Sequence, residues 1–340
     1  MTESSNGNPV AAFLARLRIG APQSYRDIVV WPLSLPGDEG PSYQTLEEAL
    51  STNQARVTEI SEGGSIPQLR VHNLARENLL IVDGEELIGA KQNRAVNTSM
   101  LLPGNSETVI PVSCTEQGRW RNVSAEFSSS NAFMEMKLRH SKMRSVSDRL
   151  KRGEGHSSDQ EQVWDKIKEL QCKAQHHSPT NAMSEVFEAR RQDTQEALAA
   201  FVCQAGQHGL LVAIRGRVAG CDTVSRSATY ARLHSKLIRS YVLDALLENP
   251  RAAGSLDERQ APMFLESIAK CRAERFPSVG LGESLRLQNG ETSGAALACE
   301  HSVVHLAAFR SEPGEPEAGM SPKMLSLSHR RRHFRGVSGA

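Results

Sequence analysis

The sequence predicts an α+β fold, with antiparallel strands forming a sandwich or open barrel and three to four helices packed against it. Short apolar runs bounded by turn-forming residues fill 25–116. Apolar positions then recur at helical spacing across 131–248. Strand-like runs return after those helices, so 23–310 reads as a single α+β domain. A flexible N-terminal segment at 1–22 and a disordered basic tail at 311–340 flank it.

The first strand signal is Ile28–Leu33, an apolar run holding Trp31, followed by a short helical piece at Leu46–Leu50. Leu69–Asn73 and Leu79–Val82 are further short runs. Asp83-Gly84 then separates Leu79–Val82 from Glu85–Ile88, and Asp-Gly tolerates the positive φ of a tight turn, so a hairpin is expected here. A second hairpin is expected around Pro103-Gly104-Asn105, between Ala95–Leu102 and Thr108–Cys114. Helices are expected through Val163–Ala174, Met183–Phe201 and Tyr230–Leu246, with Ser145–Glu161 a polar linker. A strand pair at Gly209–Ile214 and Arg217–Val224, turning at Arg215-Gly216, lies between the second and third helices. A helix near Met263–Arg272 and a last strand pair, Glu283–Leu287 with Ala295–Phe309, complete the domain. Leu79–Gly89 and Leu210–Gly220 share a hairpin-like pattern that any two hairpins would show.

Composition narrows the function classes. Across 340 residues, 40 Lys+Arg against 39 Asp+Glu leave a net charge of +1, which argues against a nucleic-acid-binding chain on bulk charge. At 39% hydrophobic and 23% charged the chain can bury a sizeable core. No apolar run approaches the roughly 20 residues of a membrane-spanning helix, and the first residues do not read as a secretory signal, so no membrane role is expected. Six scattered cysteines without a CxxC pattern are expected to be reduced thiols in a cytoplasmic protein. No Walker loop, Rossmann glycine pattern, GxSxG elbow or HExxH occurs, no histidine pair has metal-ligand spacing, and no metal is expected.

Two polar clusters stand out. In Gly84–Arg94, strand alternation puts Glu86, Ile88, Ala90, Gln92 and Arg94 on one face, and Glu85, Leu87, Gly89, Lys91 and Asn93 on the other. Arg94 offers a planar donor fork for phosphate or carboxylate, and Gln92 an amide that both donates and accepts. In Val112–Trp120, the same alternation aligns Ile110, Val112, Cys114 and Glu116, with Arg119 and Trp120 beyond Gly118. Carboxylate, guanidinium and indole together can bind or process a nucleotide by proton transfer, phosphate neutralisation and stacking. The plainer alternative pairs Glu116 with Arg119, caps the core with Trp120 and buries Cys114 as a small hydrophobe. Asp222 either joins the first cluster or ends a turn.

The order GEELIGAKQNR, a Pro-Gly turn and IPVSCTEQGRW, followed by GLLVAIRGRVAGCD and LHSKLIRSYVLDAL, resembles the ARG and rhodanese-phosphatase-superfamily-associated protein family over about Tyr25–Phe309. The resemblance implies a role in NAD and ADP-ribose metabolism and names no cofactor. The polar positions of the family's motifs fall on Glu85, Lys91, Gln92, Arg94, Cys114, Glu116, Arg119 and Trp120. A small-molecule nucleotide ligand is expected against Lys91, Gln92, Arg94, Arg119 and Trp120, with Glu116 and either Glu85 or Glu86 as acid or base. Hydrolysis or glycosyl transfer is the reaction class expected. The basic and Ser-rich stretch Lys137–Ser158 departs from the family's looser pattern and is expected to stand clear of the site. Set against this is a non-catalytic interaction module, in which the same polar residues form a structural network.

Overall fold

The largest sheet owes its position to strands that are apolar on both faces. Gln207–Ile214 is buried along its whole length, as a strand covered on two sides must be. The structure, a computed structural model, describes residues 8–61, 63–65, 67–248 and 257–311. In spatial order this sheet runs Arg18–Ile19, Ile28–Ser34, Gln207–Ile214, Arg217–Val224, Ser302–Arg310, Thr292–Cys299, Glu283–Gln288 and Arg272–Pro277, with Gln23–Tyr25 also paired to Ile28–Ser34. All its pairs are antiparallel. Leu210, Val212 and Phe309 face the helices Met136–Lys151 and Ser227–Leu247. Leu211, Trp31 and Leu306 face Pro9–Leu14 and Gln260–Ala269 on the other side.

Two smaller sheets lie beside it. One orders Phe127–Phe133, Glu85–Gly89, Arg94–Val96, Ser106–Cys114, Gln68–Asn73 and Ala55–Thr58; the other orders Met100–Leu102, Asn78–Ile81 and Tyr43–Thr45. The fold class is therefore α+β, with eight helices among the described residues. Three of these are long, at Met136–Lys151, Gln160–Ala174 and Ser227–Leu247. The others run six to ten residues; all but Pro9–Leu14 fall on expected helical segments, whereas the long Met136–Lys151 lies outside the expected helices.

Several expectations change in physically explicable ways. Asp83-Gly84 turns the chain tightly, with the Glu85 N–H donating to the Val82 carbonyl at 3.1 Å. It does not close a hairpin: Asn78–Ile81 pairs with Met100–Leu102 and Tyr43–Thr45, whereas Glu85–Gly89 pairs with Phe127–Phe133 and Arg94–Val96. At Gly84, φ is +81° and a Cβ would stand 2.8 Å from Arg139 Cδ, so glycine makes room for a buried arginine. The second expected hairpin splits too: Val112–Cys114 pairs with Arg94–Val96, but Met100–Leu102 peels away into the three-stranded sheet. The Arg215-Gly216 turn closes as expected, and Glu283–Gln288 pairs with Thr292–Cys299 as expected; the likeness of Leu79–Gly89 to Leu210–Gly220 does not extend to pairing.

The helix expected over Met183–Phe201 is two, Met183–Ala189 and Arg191–Ala200, broken at Arg190 with φ −109° and ψ 20°. The run Ala295–Phe309 is two strands turned at Glu300-His301, both with positive φ. The expected linker Ser145–Glu161 starts inside a helix that continues to Lys151. Residues 8–22, expected within a flexible segment, are ordered. Asn8 caps the helix Pro9–Leu14 by accepting from the Val10 N–H, and Val10, Phe13 and Leu14, at i, i+3 and i+4, are buried. The remaining tail expectations, for 1–7 and 312–340, lie outside the described residues.

Candidate functional site

The strand Glu85–Gly89 ends because the chain bends sharply: φ is +127° at Gly89 and +37° at Ala90. A Cβ at Gly89 would meet Ser124 Oγ at 2.6 Å and the Glu126 carbonyl at 2.9 Å. The expected continuous alternation from Glu86 to Arg94 therefore does not hold. Arg94 starts a new strand, opposite Leu87 and Cys114.

The bend presents its carbonyls to Arg119. Nη1 donates to Ala90 O at 2.7 Å and Arg121 O at 3.2 Å, and Nη2 to Gly89 O at 3.3 Å and Asn93 Oδ1 at 3.1 Å. Nε and Nη2 also clamp Glu116 in bidentate fashion, at 2.9 and 2.6 Å. Burial opposes ionisation of Glu116, but hydrogen bonds from Arg119, Thr180 and the Asn93 N–H outweigh it and hold the carboxyl below its usual range.

Glu86 has the opposite environment. Its side chain is wholly buried, Thr115 Oγ1 donates to Oε1 at 2.9 Å, and Oε2 has no hydrogen-bond partner. Burial, with a smaller contribution from the Glu116 charge, pushes its carboxyl up to about 7 even though Thr115 and Ser130 hydrogen-bond to it. Ser130, Asn93, Glu116 and Arg119 line a cleft of about 730 Å³ whose apolar wall includes Ile88, Phe127 and Phe187. Ser184 and Arg239 also reach it. Glu116 and Arg119 thus face the cleft, with Glu86 one hydrogen bond behind Ser130.

The other candidate residues go elsewhere. Glu85, adjacent to Glu86 and so on the opposite face of the strand, is buried 3.5 Å from Lys236 Nζ. Burial raises its pKa, and the Lys236 charge opposes the rise. Arg94 is fully buried. Its Nη1 donates to Gln92 O and Gln92 Oε1 at 3.3 and 3.2 Å, and its Nη2 lies 3.7 Å from Glu59. Gln92 Nε2 in turn donates to Gln117 O at 3.2 Å. Trp120 is half exposed, with Lys91 Nζ 5.4 Å and the Arg94 guanidinium 5.9 Å from its ring. Lys91, Gln92, Arg94 and Trp120 therefore form a group separate from the cleft lining. Cys114 is buried with its thiol pushed up to about 11 by burial, so it is not a thiolate near neutral pH.

Sequence reasoning missed Ser130, Ser184, Phe187 and Arg239. The Ser128-Ser129-Ser130-Asn131 run was the available signal, because four consecutive polar residues in a strand need a wet or hydrogen-bonded face.

Sequence reasoning also missed a second polar cluster, in which the Lys137–Ser158 stretch is central. Arg139 and Lys142 are fully buried on the Met136–Lys151 helix. Arg139 Nη2 lies 2.7 Å from Asp222 Oδ1, and Lys142 donates to Asp83 and, at 2.5 Å, to the Val96 carbonyl. Tyr241 donates to Asp222 Oδ2 at 2.8 Å, and His305 stands 3.7 Å from the same carboxylate. Asp222 thus belongs to this cluster, in mid-strand, and neither ends a turn nor joins Glu116. Burial lowers Lys142 to about 8 against the pull of Asp83. Among the described residues no group of three or more His, Cys, Asp and Glu is placed to hold a metal ion.

The fold and its cleft define a class: an α+β protein in which Glu86 of the six-stranded sheet, its pKa raised, and Glu116 just beyond that sheet, its pKa lowered, stand beside a cavity of about 730 Å³. The chain belongs to the ARG and rhodanese-phosphatase-superfamily-associated protein domain family, which matches residues 16–309. No curated protein and no solved structure matches it.

Proposed function

We propose that this protein binds and turns over an ADP-ribose-type nucleotide of NAD metabolism in the Glu116 cleft, by hydrolysis or glycosyl transfer at the ribosyl carbon. The observation that carries this reading is the divergence of Glu86 and Glu116. Two nearby carboxyl groups driven apart in pKa are the usual arrangement for one acid and one ionised partner. In this reading Glu86 supplies a proton, relayed through Ser130, to the departing group as its bond to the sugar breaks. Water or another hydroxyl bonds to the same carbon and returns its proton through Ser130 to the Glu86 carboxylate, while the Glu116 charge steadies the cationic sugar between the two bonds. A volume of about 730 Å³ suits a nucleotide-sized ligand, with Phe127 and Phe187 offering apolar surface to a base.

Arg119 spends its N–H groups on protein acceptors, so its role is to hold Glu116 and the Gly89–Asn93 loop. Lys91, Gln92, Arg94 and Trp120 brace that loop from behind. Arg239, whose Nε has no hydrogen-bond partner, is the cleft cation offered to the diphosphate. A cytoplasmic setting fits six cysteines outside disulfides. No helix among the described residues is long and apolar enough to cross a membrane.

The alternative, a non-catalytic interaction module, is favoured by one specific observation: the donors of Arg119 are already committed within the protein. A thermal-shift and turnover panel with NAD, ADP-ribose and AMP on wild type, Arg239→Ala and Glu116→Gln separates the two. We expect ADP-ribose at about 100 Kd to raise Tm by several degrees. Arg239→Ala should abolish that shift without lowering the unliganded Tm, and Glu116→Gln should abolish turnover. No shift with any nucleotide would leave the interaction module as the reading.

A further inference from the structure

A second cavity, of about 560 Å³, opens where the start of the Met136–Lys151 helix meets the end of the Ser227–Leu247 helix and the Arg215-Gly216 turn. Its charge is the reverse of the first. The Glu116 cleft has Glu116, Glu126, Glu185 and Glu188 against two arginines. The second cavity is lined by Lys137, Lys166, Lys173, Arg215, Arg217 and Arg310 against four carboxylates. In a chain of net charge +1, this concentration of cations around one cavity is local.

Each carboxylate of the lining already has a partner. Glu248 takes Lys137 and Arg215, the latter at 3.6 Å. Glu169 takes Lys166 at 2.7 Å. Asp244 and Glu135 are both buried; Glu135 Oε2 accepts from the Leu138 N–H at 2.8 Å, and Lys137 lies 3.5 Å from Asp244. Burial first, then the neighbouring Glu135 carboxylate, drives the Asp244 pKa well above the usual range. Lys173, Arg217 and Arg310 remain, with no ion-pair partner among the described residues, and Arg310 Nε is buried without a hydrogen-bond partner. Asp244 Oδ2 is likewise buried and unpartnered, on a side chain that lines the cavity.

We propose that this cavity is a second ligand site, for a small molecule bearing a phosphate monoester. Arg217, Arg310 and Lys173 receive the phosphate oxygens, and the Asp244–Glu135 pair forms the floor. A dianion matches the formal surplus of the lining, six cations over four carboxylates. Two guanidinium forks suit the several oxygens of a phosphate better than a single carboxylate. The site is distinct from the Glu116 cleft and does not rest on the nucleotide reading of it.

The test is titration calorimetry and thermal shift of the full chain with inorganic phosphate and with AMP, at ionic strength held constant with chloride. Wild type should bind phosphate saturably and gain several degrees at about 100 Kd. Arg217→Glu should weaken binding at least tenfold, and Glu116→Gln, in the other cleft, should leave it unchanged. If Arg217→Glu folds poorly, Lys173→Glu at an exposed helix position tests the same cavity. No saturable response in wild type, or a response unchanged in both reversal variants, overturns the proposal. Phosphate and AMP binding both lost in Arg239→Ala but kept in Arg217→Glu would place the anion in the Glu116 cleft and overturn the second site.

Discussion

Glu86 shows how one residue's environment becomes a property that can be measured. Its carboxyl is pushed from an ordinary 4.5 up to about 7 chiefly by burial. The folded state therefore binds this proton more tightly than the unfolded state does. The associated stability is full below about pH 4.5 and is lost as pH rises through about 7, a difference of about 3 kcal/mol for this group. Glu86→Gln should flatten that part of the stability–pH curve, read by urea denaturation at several pH values between 4 and 8. An unchanged slope would mean that Glu86 does not hold its proton in the folded protein. At this scale the sequence named Glu86, Glu116 and Arg119 as chemically unusual. It offered the Glu116–Arg119 pair, which the structure forms, but could not show that the remaining donors of Arg119 would be taken by the Gly89 and Ala90 carbonyls, because these are brought in by the bend there.

Among the strands, the main departures from expectation sit at crossings between sheets. Leu79–Val82 and Ala95–Leu102 are legible as strands, but their partners are not, since apolar runs carry no label for the sheet they join. Leu101 shows the consequence: it pairs with Leu80 within the three-stranded sheet and forms an isolated bridge to Leu281, whose N–H donates to the Leu101 carbonyl at 2.8 Å. Gly280 permits that approach, because a Cβ there would stand 2.2 Å from the Leu101 carbonyl oxygen. Gly280→Ala should force this joint apart and cost about 1–3 kcal/mol, seen as a lower urea midpoint at unchanged m-value. Wild-type stability in this variant would show that the joint yields without cost.

For the whole molecule, the buried ionic cluster does what no single sheet does. Asp83 lies on the turn between the three- and six-stranded sheets, Asp222 and His305 on the nine-stranded sheet, and Arg139 and Lys142 on the helix packed between them. Arg139→Met would leave two buried carboxylates short of their guanidinium, at a cost of about 3–5 kcal/mol. Because the cluster spans all three sheets, wild type should unfold in one step, with far-UV circular dichroism and tryptophan fluorescence coincident. Separate transitions would show that the sheets unfold as independent units.

Local sequence carries the class of fold, most runs that become strands, the helices Gln160–Ala174 and Ser227–Leu247, the family, and two segments that supply Glu86, Glu116 and Arg119. Those properties are written in periodicity, turn chemistry and local motif, which act over a few residues. Tertiary structure alone decided that Glu85, Lys91, Gln92, Arg94 and Trp120 stand away from the cleft. It also brought Arg139 and Lys142, on the basic and Ser-rich stretch Lys137–Ser158, into the centre of the molecule. A buried charge is tolerated only where distant segments deliver its partner. Asp83 and Asp222, 139 positions apart in the chain, meet Arg139 only once all three sheets have assembled.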